Sequence, residues 1–443
     1  MRTVGCRLQN RQLHTQGRGQ LCAGCLLRKM AGYFSLPVKI PQHGDVGGTA
    51  PHSSPIALLS LHTTTRLRPR GFLPSPGPRG FEHSSDIHGT RQGAAMSTRT
   101  LCRSISWQHQ VSDGVRVVAD RFGGPGVLRV EQQSPPPDPR PHEVVLKVSA
   151  AGVNPADTYI REGKYKYLPS DFPFTPGIEG AGTVVAIGAG LEGFEPGDSC
   201  LFFGHNGQHT GSHATYCTAD SAVCHRLPPE MDLELAAAGA VAYWTAFRAL
   251  HQNMLRPAGQ GDTVFIHGGS GAVGLACLQT AKALGVETVI CSTGSSLGEA
   301  LLYAQGASLV VDHRHEGHMK AVMKATSGRG VDVVVEMLAN ANLGEDIKIL
   351  AQHGRVAVVG SRGPVNVDPR DLMLCEGFVH GVYLWSATRE EREDALAFLI
   401  KGIESGALQP NVGRRYPLAQ AAEAHEEVIS RSAKTNGKII LIP

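Results

Sequence analysis

The chain has 443 residues, long enough to bury two hydrophobic cores, and its 42% hydrophobic and 18% charged residues are those of a globular protein. No apolar run is long enough to cross a bilayer as a helix, so no membrane partner is expected. The formal net charge of +3 comes mostly from an arginine-rich first hundred residues, with no basic helix or aromatic-studded basic strand after them, which excludes a recognisable nucleic-acid module.

Residues 1–95 mix Gly, Pro, His, Ser and Arg without helical or strand periodicity, and Leu73-Pro74-Ser75-Pro76-Gly77-Pro78 breaks either structure. Residues 1–110 are therefore expected as a disordered extension. Their arginine-rich, acid-poor character also fits a mitochondrial targeting segment, and Met30 or Met96 offers an alternative start. Cys22 and Cys25 form a CxxC that no second pair answers, so we read it as chance spacing. The ten cysteines scatter along the chain, which suits free thiols and a cytoplasmic protein better than secreted disulfides.

From Val115 the pattern changes to short β-branched runs between Gly and Pro, predicting strands at 115–118, 144–148, 183–187, 199–203 and 214–218. Residues 111–235 are thus expected to form a strand-rich, barrel-like domain. An apolar helix is predicted from Asp232 to Leu250, followed by alternating strands and helices to residue 373, with strands at 263–267, 288–292, 309–311, 331–336 and 355–359. Near-continuous Val/Ile runs mark strands covered on both faces, so residues 236–373 are read as a doubly wound parallel sheet. Residues 374–443 should add a strand at 379–384, a helix from Thr388, a helix at 419–430 and a last strand at 438–442 that returns to the first domain. The fold class is α/β.

The strongest local signal is Gly269-Ser270-Gly271-Ala272-Val273-Gly274, placed directly after one predicted strand and opening the next helix. Gly269 permits the tight turn, Gly271 lets the backbone approach a dinucleotide pyrophosphate, and Gly274 lets helix and strand pack closely. Cofactor choice is read at the end of the second strand, where an NAD enzyme places an acid on the ribose. That end reads Cys291-Ser292-Thr293-Gly294-Ser295-Ser296, and Glu287 lies at the opposite end of the strand, so NADPH is the expected cofactor.

Gly152-Val153-Asn154-Pro155, Thr175-Pro176-Gly177, Pro196-Gly197-Asp198, the glycine turn, Glu336-Met337-Leu338-Ala339-Asn340 and Val358-Val359-Gly360-Ser361-Arg362-Gly363 follow in that order. From about Val115 to the C-terminus, this sequence resembles the zeta-crystallin quinone oxidoreductases of the zinc-independent medium-chain dehydrogenase/reductase family. The resemblance implies a GroES-like catalytic domain wrapped around a Rossmann domain, NADPH in the cleft between them, and a homotetramer. It also implies that Tyr159 is the active-site tyrosine, that Ser270, Gly271, Ala272 and Val273 hold the pyrophosphate, and that Gly294 and His313 lie toward the adenosine phosphate. Asn342, then Val359, Gly360, Ser361 and Arg362, would line the cofactor after the fourth and fifth strands, and Val382, Tyr383 and Leu384 would approach the nicotinamide. Gly269 stands where the family usually has alanine, and Tyr383 replaces a smaller residue.

Zinc alcohol dehydrogenases of the wider family carry a cysteine where this chain has Asn154 and a Gly-His-Glu where it has Gly177-Ile178-Glu179, and their four-cysteine lobe is missing. No metal is expected. His205, His209 and His213 recur at four-residue spacing, but the glycines among them argue against a helix, and the stretch reads as a solvated insertion. A quinone is electron-poor, so its reduction needs a positioned nicotinamide and a donor for the oxygen that gains charge. Tyr159 is the candidate donor and Asn154 a candidate positioning amide, with Tyr165, Tyr167, Phe172 and Phe174 as a candidate apolar wall. Two alternatives remain at this level: an NADPH-dependent enal or enone double-bond reductase, and an NADPH-binding crystallin or binder of AU-rich RNA, the latter by resemblance only.

Overall fold

A computed structural model describes residues 107–204, 211–252, 256–430 and 436–443. The expectations for the N-terminal extension, for Cys22 and Cys25, and for His205 and His209 fall outside these residues.

The described chain opens with strands β1 (Gly114–Ala119) and β2 (Leu128–Gln133), an antiparallel pair. Then come β3 (Glu143–Val153), helix α1 (Pro155–Arg161), β4 (Glu179–Ile187), β5 (Ser199–Phe203), β6 (Tyr216–Asp220) and β7 (Cys224–Arg226). The long helix α2 (Leu233–Leu250) leads into β8 (Thr263–Ile266), α3 (Ala272–Ala283), β9 (Thr288–Thr293), α4 (Ser296–Ala304), β10 (Leu309–Asp312) and α5 (His318–Ala325). β11 (Val331–Glu336), α6 (Ala339–Lys348), β12 (Leu350–Val358), α7 (Pro369–Cys375) and β13 (Phe378–Gly381) follow, before α8 (Arg389–Glu404), β14 (Val412–Pro417), α9 (Ala421–Glu427) and β15 (Lys438–Ile442).

Two larger sheets result. One runs β14-β15-β3-β4-β5-β7 with β6 also paired to β3, so the last strand does pair with the first sheet, antiparallel to β3. Its close strand spacing depends on small residues: a Cβ on Gly182 of β4 would fall 2.1 Å from the Lys147 carbonyl oxygen of β3. The other sheet is parallel throughout and runs β10-β9-β8-β11-β12-β13. Counting from β8 this is the 3-2-1-4-5-6 order of a doubly wound fold, which places a crevice beyond the carboxyl ends of β8 and β11, where the winding reverses.

The alternating faces of β8 explain its unbroken apolar run: Val264 and Ile266 enter one core with α2 and α3, while Phe265 enters the other with β11, β12 and α6. Helix α2 joins the two halves. Asp232 caps it, its Oδ1 accepting from the amides of Glu234 at 2.8 Å and Leu235 at 3.1 Å. Its alanines let one face pack on Val264 and Leu275 and another on Leu201, Phe203 and Ile440 of the strand-rich half.

The predicted strand at 379–384 stops at Gly381, because Leu384–Ser386 turns as a 3-10 helix. Strands β2 and β14 were not legible in sequence: LRVEQQ and VGRRYP carry charge and glycine where an alternating apolar face would have marked them. Among the described residues all six cysteines are free thiols, and no helix is long and apolar enough to cross a membrane.

Candidate active site

At the crevice the chain leaves β8 through His267 and Gly268, whose φ of +56° is one that glycine adopts without strain. The Gly268 amide donates to Ser292 Oγ at 3.1 Å and the Gly269 amide to the Ser292 carbonyl at 2.7 Å, pinning the turn to the end of β9. Ser270 and Thr293 hydroxyls meet at 3.0 Å. A Cβ on Gly274 would lie 2.4 Å from the Gly268 carbonyl, so only glycine lets α3 start this close to the turn. At Gly271 a Cβ would meet only the Gly268 carbonyl, at 3.4 Å, an ordinary contact rather than a clash. No acid stands in the first turn of α3 and no side chain caps it, so its first-turn amides and dipole leave that end with a partial positive charge.

Beyond β9 and β10 a recess is lined by Thr293, Ser295, Ser296, Glu299, Asp312 and Arg314. Gly294 borders it against His313, whose Nε2 would be 2.9 Å from a Cβ at that glycine. Arg314 forks onto Asp312, with Nε–Oδ1 at 2.9 Å and Nη2–Oδ2 at 2.6 Å, and this guanidinium holds the Asp312 carboxyl well below the usual range. The cofactor expectation rests on the end of β9 alone and does not include Asp312, Glu299 or Arg314, which the fold brings to the same recess. The signal available was the run Asp312-His313-Arg314-His315 closing the next strand. Glu287 precedes β9 and accepts from Gln260 Nε2 at 3.3 Å, away from the crevice.

The loops after β11, β12 and β13 face the same crevice. Asn342 Nδ2 donates to Glu336 Oε1 at 3.1 Å, and the Val359 amide donates to the Glu336 carbonyl at 2.8 Å. Gly360 sits against Met337, where a Cβ would fall 2.6 Å from the carbonyl oxygen. Ser361 Oγ donates to the Gly363 carbonyl at 2.9 Å, and the Arg362 amide to Asn340 Oδ1 at 2.8 Å. The Val382 amide continues the sheet to the Val358 carbonyl at 2.8 Å. Tyr383 keeps a buried hydroxyl without a hydrogen-bond partner, pushed up to about 12 by burial, and Leu384 packs with the strand-rich half.

Across the crevice, α1 presents Tyr159, whose hydroxyl accepts from Arg362 Nε at 3.3 Å and so touches the cofactor-side loops. Asn154, just before α1, is buried with its amide committed: Nδ2 donates to Glu179 Oε1 at 2.7 Å and Oδ1 accepts from Lys438 Nζ at 2.6 Å. Lys438 also pairs with Glu179, whose other oxygen accepts from the Val241 amide at 2.8 Å. Asp157 accepts from the Asn154 and Ile178 amides at 2.8 and 3.1 Å, and burial pushes its carboxyl up to about 7. Asn154 therefore holds α1 and Glu179 in place through both ends of its side-chain amide. The expected apolar wall is divided. Tyr165 accepts from Trp385 Nε1 at 3.0 Å, whereas Phe172 and Phe174 pack with Phe122, at ring separations of 4.9 and 6.4 Å from it.

Two family descriptions match: an alcohol dehydrogenase GroES-like domain over residues 140–229 and a zinc-binding dehydrogenase over 305–441. The quinone oxidoreductase of Lama guanicoe is 40% identical over 321 residues, which span 72% of this chain and 95% of that protein. This chain belongs to the quinone oxidoreductase family. The human quinone oxidoreductase is also 40% identical, over the same shares of the two chains. Among solved structures, an Escherichia coli quinone oxidoreductase complexed with NADPH is 28% identical with a TM-score of 0.67, covering 74% of this chain and 100% of that one. A mycobacterial protein complexed with NADPH is 33% identical with a TM-score of 0.66 over equal shares.

The zinc of the second family description does not fit the residues of this quinone oxidoreductase family member. At the place where zinc enzymes carry cysteine and histidine it offers an amide, Asn154, and an alkyl chain, Ile178, and the positive charge between Asn154 and Glu179 is already the Lys438 ammonium. His213 is not a ligand surface either. Its Nε2 lies 3.4 Å from the Gly152 carbonyl and its Nδ1 3.4 Å from His425, and burial pushes the imidazole down to about 4.

Proposed function

We propose that this protein is an NADPH:quinone oxidoreductase working without a metal. The observation that carries the reading is the acid-free N-terminus of α3 behind the glycine turn, set at the winding reversal of the parallel sheet in a chain 40% identical to curated quinone oxidoreductases. Amides of Ser270, Ala272 and Val273 would receive the diphosphate, with Gly269 and Gly271, whose own amides bond to Ser292 and Gly268, shaping the turn and Gly274 keeping α3 in place. Thr293, Ser295, Ser296 and Arg314 line the recess that would take the ribose phosphate, with Gly294 and His313 beside it; Arg314 supplies its positive charge once turned from Asp312, against the Asp312 and Glu299 carboxylates in the same lining. Asn342, Val359, Gly360, Ser361, Arg362, Val382, Tyr383 and Leu384 would line the remainder. When bound, the nicotinamide supplies the hydride.

Tyr159 supplies the donor. Because its oxygen accepts from Arg362, its own proton is free to point at the quinone oxygen that gains charge. Asn154 acts only through α1 and Glu179, as a positioning residue. Tyr159→Phe is expected to lower turnover by about tenfold or more while NADPH affinity stays nearly constant; an unchanged rate with an ortho-quinone removes Tyr159 from the mechanism. The deciding assay compares an ortho-quinone and a medium-chain enal, each with NADPH and NADH. Faster turnover of the enal would assign a double-bond reductase instead.

A homotetramer is part of this proposal. Among the described residues β13 is the last strand of the parallel sheet, and Val379, Met373 and Leu374 beside it are exposed. Sedimentation should give a species of four chains; a monomer at micromolar concentration would reject self-association.

A further inference from the structure

Beneath the crevice floor His267, Glu336 and Asp346 meet out of contact with water. His267 Nε2 is 2.7 Å from Asp346 Oδ1 and 3.2 Å from Glu336 Oε2. Carboxylate oxygens of Glu336 and Asp346 lie within 4.8 Å of each other and of the imidazole, so in this dry site one of the two carboxyls keeps a proton. Asp346 Oδ2 has no hydrogen-bond partner at all. We propose that these three residues form a proton-sharing cluster whose one shared proton keeps the dinucleotide-binding loops in their receiving shape. This rests on the NADPH reading above.

The geometry ties the cluster to each loop. His267 immediately precedes the glycine turn. The Glu336 side chain accepts from the Leu338 amide and Asn342, and its carbonyl accepts from the Val359 amide at 2.8 Å. Three loops that would line the cofactor thus hang on one carboxyl group and its neighbours. Two carboxylates this close cannot both ionise cheaply in a dry site, and burial pushes both up, to about 7 each, while it pushes His267 down. The imidazole is then neutral and donates Nε2–H to Asp346. Outside the cluster the titratable groups that face it are Glu345, one residue away on α6, and His313 after β10. A 2.7 Å separation of nitrogen and oxygen suits a hydrogen bond, whereas two ligands on a cation at about 2.0–2.1 Å would stand farther apart.

Loss of the shared proton to solvent leaves two adjoining carboxylates, which repel each other and distort the loops. NADPH, itself anionic, should therefore bind with uptake of a proton and more weakly as pH rises through neutrality. Calorimetric titration with NADPH from pH 6 to 8.5 is expected to show Kd rising by up to about tenfold per pH unit above neutrality. Glu336→Gln donates permanently to Asp346 and still accepts from Leu338 and Asn342, so it should bind tightly with a flattened pH profile. Asp346→Leu should bind weakly at every pH. The ionisation of the NADPH ribose phosphate is common to all three proteins and cancels in the comparison. Infrared difference spectra of the cofactor-free proteins, wild type minus Glu336→Gln, should show the loss of one protonated carboxyl band, the buried Asp157 carboxyl being common to both. A wild-type slope retained in Glu336→Gln, a band unaffected by it, or a stoichiometric metal in the purified protein would overturn the proposal. Failure of the wild type to bind NADPH at any pH would instead sink the functional reading, with the infrared band still testing the cluster.

Discussion

Replacing Gly274 with valine is expected to weaken NADPH binding severely and to slow quinone turnover with it. Even the first added carbon would lie 2.4 Å from the Gly268 carbonyl and 2.6 Å from Gly269 Cα, all rigid backbone, so α3 must move off the turn. Overpacking of this kind costs about 1–3 kcal/mol, and its displacement of the diphosphate amides should weaken NADPH by about a hundredfold or more. Gly271→Ala is the control for the opposite effect. Its Cβ meets only the Gly268 carbonyl at 3.4 Å, so the melting temperature should hold while NADPH affinity falls. Calorimetry and thermal melting on both variants separate the cases; wild-type affinity in Gly274→Val would contradict the placement of the cofactor.

The second large effect is expected at Lys438. Lys438→Met removes the cation from a site where Glu179 is 0% exposed and already accepts from Asn154 and the Val241 amide. An uncompensated buried carboxylate should cost about 3–5 kcal/mol, read as a lowered urea midpoint. Adding Glu179→Gln should recover much of that loss, because the charge goes while the acceptor oxygen for Val241 can remain. An unchanged midpoint in Lys438→Met would show that the ion pair is not a structural support. Activity should fall with it, since Asn154 and Glu179 fix the start of the helix that carries Tyr159.

Lys438 also marks a physical connection between the two sides of the crevice. The neighbouring Gly437 amide donates to the Ser270 carbonyl of the glycine turn at 2.9 Å, while the Lys438 side chain reaches the Asn154 network. One short backbone step thus touches both the diphosphate turn and the support of Tyr159. Arg362 meets Tyr159 itself from the other side.

The sequence by itself determined the elements whose causes are local. Near-continuous Val/Ile runs marked β8, β9 and β11 because a strand buried on both faces has no polar side to show. The glycine turn was legible because steric needs over six consecutive residues admit few other residue types. The loss of cysteine and histidine at Asn154 and Ile178 was equally a matter of residue identity. Tertiary structure alone decided the rest. Lys438 meets Asn154 across 284 positions, and His267 meets Asp346 across 79. Neither pairing leaves a periodic trace, because a buried charge only demands some partner, and the chain path selects which. The same holds for Asn154, whose amide looked available until Glu179 and Lys438 were seen to occupy it. Local sterics and alternation write strands and turns into the sequence, whereas the meeting of distant polar groups is set by how the sheets close around one another.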